Sequence, residues 1–180
     1  MHLRIAGMTI AVSSADPSVV PRAVGPVARF VVPENGPADL DVAVERVTSM
    51  PERDGPLLFD SGAVWALSDD GGRLRIDCSS EVYGDAPYKV AYFDRDFTSG
   101  RVLLRADVFE GPVDALMYPL DELIIANLLA RGRGVEFHGC GIIDRNGRGR
   151  LFAGQSGAGK TTTARLWLER EPDLDRKSVV

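Results

Sequence analysis

Arg73-Leu74-Arg75-Ile76-Asp77-Cys78 alternates polar and apolar side chains directly after Asp69-Asp70-Gly71-Gly72, a cluster suited to a tight turn. A period of two marks a strand with one face buried and the other wet, because successive side chains leave the pleated backbone on opposite sides. The same alternation recurs between Gly, Pro and Asp clusters at residues 28–32, 41–47, 63–67, 88–93 and 101–108. The N-terminal MHLRIAGMTIAVSS reads as one further strand. Residues 1–115 therefore read as a β-rich region, a mostly antiparallel sheet of about six or seven strands.

Composition sets the outer limits. A chain of 180 residues, 44% hydrophobic and 26% charged, can build an ordinary hydrophobic core. No run approaches the roughly 18 to 20 apolar residues of a membrane helix, and Arg4 and Gly7 break the N-terminal run before it could serve as a secretion signal. A formal charge of -5 has the wrong sign for a nucleic-acid binder, which needs clustered Lys and Arg against phosphate. Neither a membrane nor nucleic acid is thus an expected partner. Cys78 and Cys140 stand far apart with no C-x-x-C or Cys/His ligand spacing, so they read as small buried hydrophobes in a reducing, cytoplasmic setting.

The pattern changes at Pro119-Leu120-Asp121-Glu122-Leu123-Ile124-Ile125-Ala126-Asn127-Leu128-Leu129-Ala130-Arg131-Gly132. Proline near the first turn, acids behind it, arginine in the last turn and glycine beyond are helix start and stop signals in the right order. Leu120, Leu123, Ile124 and Leu128 form one apolar face, which Ile125 and Leu129 widen. Two strand-like runs follow, residues 135–143 and 148–153, with Asn146-Gly147 between them as a hairpin signal. The overall class is α+β: the β-rich region, a helix, then the start of a second domain.

That second domain carries the chemistry. Gly154-Gln155-Ser156-Gly157-Ala158-Gly159-Lys160-Thr161 fits G-x-x-x-x-G-K-[ST], the P-loop pattern, with a strand-like run before it and an amphipathic segment, residues 161–170, after it. Glycines let consecutive backbone N–H groups turn inward as an anion nest, and a helix starting near Lys160 adds the partial positive charge of its N-terminus. Lys160 would reach the β- and γ-phosphates, and the Thr161 hydroxyl would hold Mg²⁺ bridging them, with Thr162 beside it. The expected ligands are ATP and Mg²⁺, although the loop reads phosphates rather than bases and leaves GTP and pyrophosphate open.

Other conspicuous residues have plainer readings. A lone histidine in an apolar strand, His138, reads first as an interior side chain. Trp65, Trp167 and the tyrosines read as packing, and Asp69-Asp70 and Asp94-Arg95-Asp96 as solvated turns.

Taken together, His138-Gly139, the hairpin and the glycine loop resemble the start of the catalytic domain of HPr kinase/phosphorylase, a family that shares its P-loop fold with phosphoenolpyruvate carboxykinase. The likeness covers about 40 residues, 135–170. It implies a phosphotransferase in which Ser156 belongs to the phosphate loop, Lys160 and Thr161 hold phosphate and metal, and His138 sits beside the transferring phosphate. Gln155 stands where that family often has Asp, and the β-rich region differs from its usual N-terminal domain. The phosphoacceptor is therefore left open among protein, peptide and small molecule.

Phosphoryl transfer also needs an acid to position Mg²⁺ or take the acceptor's proton, expected by analogy on the strand after the P-loop helix. The final Asp175-Arg176-Lys177-Ser178-Val179-Val180 is what GATCGGAAGAGCGTCGTG, a common sequencing-adapter DNA, encodes. Residues 175–180 are accordingly expected to be non-native, with residues 116–174 an incomplete kinase-like domain whose gene continues. Two other readings compete. A transporter ATPase or GTPase is disfavoured by the 153 residues ahead of the loop, whereas a non-catalytic nucleotide-binding or peptide-binding module would lack the acid altogether.

Overall fold

The computed structural model describes residues 1–143, 146–170 and 175–177. They form two compact units, Met1–Leu128 and Leu129–Val180. The first is an α+β unit whose strands are β1 (His2–Ile5), β2 (Met8–Ser13), β3 (Val31–Val32), β4 (Leu40–Val47), β5 (Leu57–Asp60), β6 (Trp65–Asp70), β7 (Arg73–Cys78), β8 (Lys89–Phe93) and β9 (Ser99–Arg105). They make one sheet in the order β3-β1-β2-β4-β9-β8-β7-β6-β5. It is mostly antiparallel, but β4 runs parallel to both β2 and β9. The unit runs on past residue 115 to take in the helix α1 (Leu120–Leu129) up to Leu128.

Alternation explains the core. Leu40, Val42 and Val44 are buried on β4 while Asp41 and Ala43 are exposed. Register carries that buried face across the sheet, Val44 to Val102, Ala91 and Ile76 in turn. α1 buries Leu120, Ile124 and Leu128, the face its spacing predicts. Each such buried aliphatic contributes about 1.5–3 kcal/mol of transfer free energy.

Four sequence expectations are corrected in this unit. Gly25–Phe30 is a 3₁₀ turn with proline in its first positions, so only Val31 and Val32 of the run 28–32 form a strand. Pro26 has no N–H to give a ladder, and its fixed φ favours the turn. The N-terminal stretch is a hairpin rather than one strand, because Ala6 and Gly7 take φ of 50° and 79° and reverse the chain. The edge strand β5, Leu57-Leu58-Phe59-Asp60, adds to the expected strands and shows no alternation in its sequence. The wet face of β7 is also not wet: Arg75 and Asp77 are only 2% and 7% exposed.

The last correction has a definite cause. Arg75 Nε donates to Asp77 Oδ1 at 2.9 Å, Nη1 to the Glu52 carbonyl at 2.6 Å and Nη2 to the Pro51 carbonyl at 2.7 Å. The segment ahead of β5 is thereby strapped over the second face of the sheet. A Cβ on Gly55 would lie 1.3 Å from the Asp69 carbonyl oxygen, so only glycine lets the strap pass that close. The opposite face holds Lys89, fully buried, whose Nζ donates to the Met117 carbonyl at 2.5 Å.

In the second unit β10 (Gly139–Ile143) and β11 (Gly149–Ala153) form the expected antiparallel hairpin, followed by α2 (Lys160–Arg170). β12 (Asp175–Lys177) pairs with the other side of β10. Cys140, Ile142 and Ala164 are buried together, with Phe152, Trp167 and Leu168 packed around them. Residues 135–138 lie outside the strand that their sequence predicts, and His138 is exposed one position before β10 rather than an interior strand residue. Within the turn, Gly147 adopts φ 75°, while Asp144 and Arg145 lie outside the described residues.

Candidate functional site

Residues 154–159 connect the end of β11 to the first residue of α2. Gly157 and Gly159 take φ of 82° and 81°, a left-handed backbone that costs a residue with a Cβ about 1–2 kcal/mol. A Cβ on Gly154 would come within 3.2 Å of Ala158 Cβ, so the loop closes on itself more easily with glycine there. Ala158 N–H donates to the Gln155 carbonyl at 3.2 Å, and Thr163 N–H to the Gly159 carbonyl at 2.8 Å. The amides of Lys160, Thr161 and Thr162 precede that first helical bond and have no acceptor further back in the helix.

Lys160 lies across this loop. Its Nζ donates to the carbonyls of Gly154 and Gln155, both at 2.8 Å. The ammonium is thus held at the mouth of the loop by groups that also form its rim. Gln155, Ser156, Gly157 and Ala158 are exposed, as are Thr161 and Thr162 at the helix start.

Two features fix the loop on its scaffold. Ala164, fully buried, seats α2 against Cys140 and Ile142. One turn on, Trp167 meets Phe152 of β11 at 5.8 Å between ring centroids, and Arg150 lies 4.8 Å over the indole. The Arg150–Trp167 stack was not anticipated from sequence, because only the strand-to-helix connection brings these positions together.

The hairpin register runs from Ile143 opposite Gly149 to Gly139 opposite Ala153. Gly139 makes a tight corner there, since a Cβ would be 3.0 Å from Leu151 Cδ1, 3.2 Å from Phe137 Cδ1 and 3.3 Å from the Phe152 carbonyl oxygen. His138 directly precedes β10 and Gly154 directly follows β11, so both adjoin the end of the hairpin that closes with the Gly139–Ala153 pair, and Lys160 binds back to the Gly154 carbonyl.

Glycines at positive φ, the leading amides of α2 and one ammonium are hydrogen-bond donors and turn formers of the kind an anion takes. The loop suits a metal less completely. Among the described residues no group of three or more His, Cys, Asp or Glu side chains could hold a cation. Thr161 offers a single hydroxyl, so the remaining ligands for Mg²⁺ would come from phosphate oxygens and water. Among the described residues no helix is long and apolar enough to cross a membrane. Comparison with protein-family models, with curated proteins and with solved structures finds no match to this chain.

Proposed function

We propose that residues 154–162 bind the phosphates of ATP and that the chain belongs to a kinase-like phosphotransferase of the HPr kinase and phosphoenolpyruvate carboxykinase class. The observation that carries this reading is Lys160, held by the carbonyls of Gly154 and Gln155 at the head of a helix whose first amides have no acceptor further back in the helix. A triphosphate entering the loop would accept from those amides and from Lys160, which can turn from the rim carbonyls to the β- and γ-oxygens. Mg²⁺, when bound, neutralises charge on the transferring phosphoryl group, with the Thr161 hydroxyl as its protein ligand. His138, one position before β10, would exchange a proton with an acceptor hydroxyl beside the phosphate, the role that the family resemblance implies for it. The acceptor is a protein, peptide or small molecule.

Lys160→Ala tests the phosphate assignment. It should lower Mg-ATP affinity at least tenfold, about 1.4 kcal/mol, in calorimetric titration while leaving the far-UV circular dichroism unchanged. Unchanged affinity refutes it.

A second reading is a nucleotide-binding module without transfer, which lacks the acid that phosphoryl transfer needs. The two readings separate at the gene's 3′ end. Independent DNA read past the codon for Leu174 into an apolar strand bearing aspartate supports transfer. A continuation without an acid supports the module.

A further inference from the structure

The strap that Arg75 holds over β7 forms one wall of a cleft in the first unit, about 830 Å³ in volume. Its floor is Ala66, Arg75, Asp77 and Ser79, and its far wall is the turn around Tyr83 and Asp85 with Arg105 and Asp107. The cleft lies wholly within residues 48–107 and uses none of the glycine-loop residues. Its lining carries both signs of charge, so what it would recognise depends on which groups are already satisfied.

The arginines are largely spent. Arg75 gives its donors to Asp77 and to the Pro51 and Glu52 carbonyls. Arg105 donates to Asp107 Oδ1 at 2.8 Å, the Ala86 carbonyl at 3.1 Å and the Tyr83 carbonyl at 2.6 Å. The acceptors are not spent. Among the described residues the side-chain carboxylates of Glu52 and Asp85 have no hydrogen-bond or ion-pair partner. Asp77, only 7% exposed, has Oδ1 bound by Arg75, but its Oδ2 has only Arg53 Nη1 at 4.0 Å, beyond hydrogen-bond reach. Asp77 Oδ2 is not among the buried unpartnered atoms, so it keeps access to solvent, and a carboxylate oxygen without a donor favours a cation that can approach it. Arg53, 42% exposed at its side chain, is the one cleft arginine without a close hydrogen bond and can swing out to solvent. Tyr83, 39% exposed, supplies an aromatic face.

We infer that this cleft binds the cationic side chain of a peptide, an arginine guanidinium or lysine ammonium that takes the Asp77 Oδ2 position between Asp85 and Glu52 and displaces Arg53. The inference is independent of the nucleotide reading, since it concerns a different unit.

The test uses the full chain, ¹⁵N-labelled, titrated with acetyl-Gly-Arg-Gly-amide, its Gln counterpart and its Glu counterpart. The Arg peptide should shift amides in residues 48–53 and 83–86 and bind at least threefold more tightly than the Gln peptide. Asp85→Asn should weaken Arg-peptide binding about threefold or more, and Arg53→Ala should strengthen it, because removing the internal competitor frees the carboxylate. Both positions are exposed, so neither change threatens the fold. The inference is overturned by an Arg peptide that binds no better than Gln, by tighter binding of the Glu peptide, by an Arg53→Ala affinity that fails to rise, or by no shifts at about 10 mM peptide.

Discussion

Replacing Arg75 by methionine should cost the first unit about 4 kcal/mol, and the size follows from what is orphaned. The guanidinium is 2% exposed and makes three hydrogen bonds, to Asp77 Oδ1 at 2.9 Å and to the carbonyls of Glu52 and Pro51 at 2.6 and 2.7 Å. Methionine keeps much of the aliphatic stem but none of the donors. Bonds to a charged group are worth about 1.5–3 kcal/mol each, and breaking one side of a buried pair costs about 3–5 kcal/mol because the partner stays charged and buried. Asp77, with its side chain 9% exposed, is that partner. Removing the orphan as well, in Arg75→Met with Asp77→Leu, should return about 2 kcal/mol relative to the sum of the single changes. Urea denaturation followed by Trp65 fluorescence, in a Trp167→Phe background, isolates the unit. A cost for Arg75→Met below about 1 kcal/mol, or additivity within about 0.5 kcal/mol, would refute the reasoning.

Two further outcomes are expected. Gly55→Ala places a Cβ 1.3 Å from the Asp69 carbonyl oxygen, so the strap must lift; thermal melts should show a loss of about 2 kcal/mol or more, and unchanged stability would mean the strap is not held there. Burial pushes the Cys78 thiol up to about 11 from 9.0. A raised folded pKa gives stability that is complete below pH 9 and lost as pH climbs through about 11, worth about 2–3 kcal/mol in all. Its register partner Lys89 is depressed by burial and works the other way, gaining stability as pH rises toward 10.5. The Cys78 share is therefore read as the difference between the native chain and Cys78→Val across pH 9 to 11, and parallel curves would contradict it.

Legibility in the sequence followed the range of the forces involved. A strand with one covered face, such as β4, shows its period of two directly, and α1 shows its apolar face and its capping order. The loop residues 154–159 and the helix start at Lys160 were equally plain, because glycine conformation and helix capping are local properties. Covering contacts were not. Arg75 and Asp77 look solvent-facing until a strap more than 20 positions earlier closes over them. The run 28–32 alternates well enough for a strand, but a proline two positions earlier decides against it. His138 is exposed rather than interior because β10 starts four positions later than the apolar run suggests.

Lys89, Arg75 and Lys160 are among the cations that donate to backbone carbonyls, and their surroundings decide what each can do. Lys89 Nζ sits 2.5 Å from the Met117 carbonyl and is fully buried. Releasing it would strand an ammonium and a carbonyl away from water, so the bond holds the approach to α1 in place. Arg75 is bound in the same way by its strap. Lys160 makes bonds of the same kind to Gly154 and Gln155, at 2.8 Å, but it is only half-buried and its acceptors lie on an exposed loop. Water or phosphate can take over either partner at little cost. The bond that locks the first two cations into the fold only parks the third, and this exchangeability is what a phosphate-binding lysine requires.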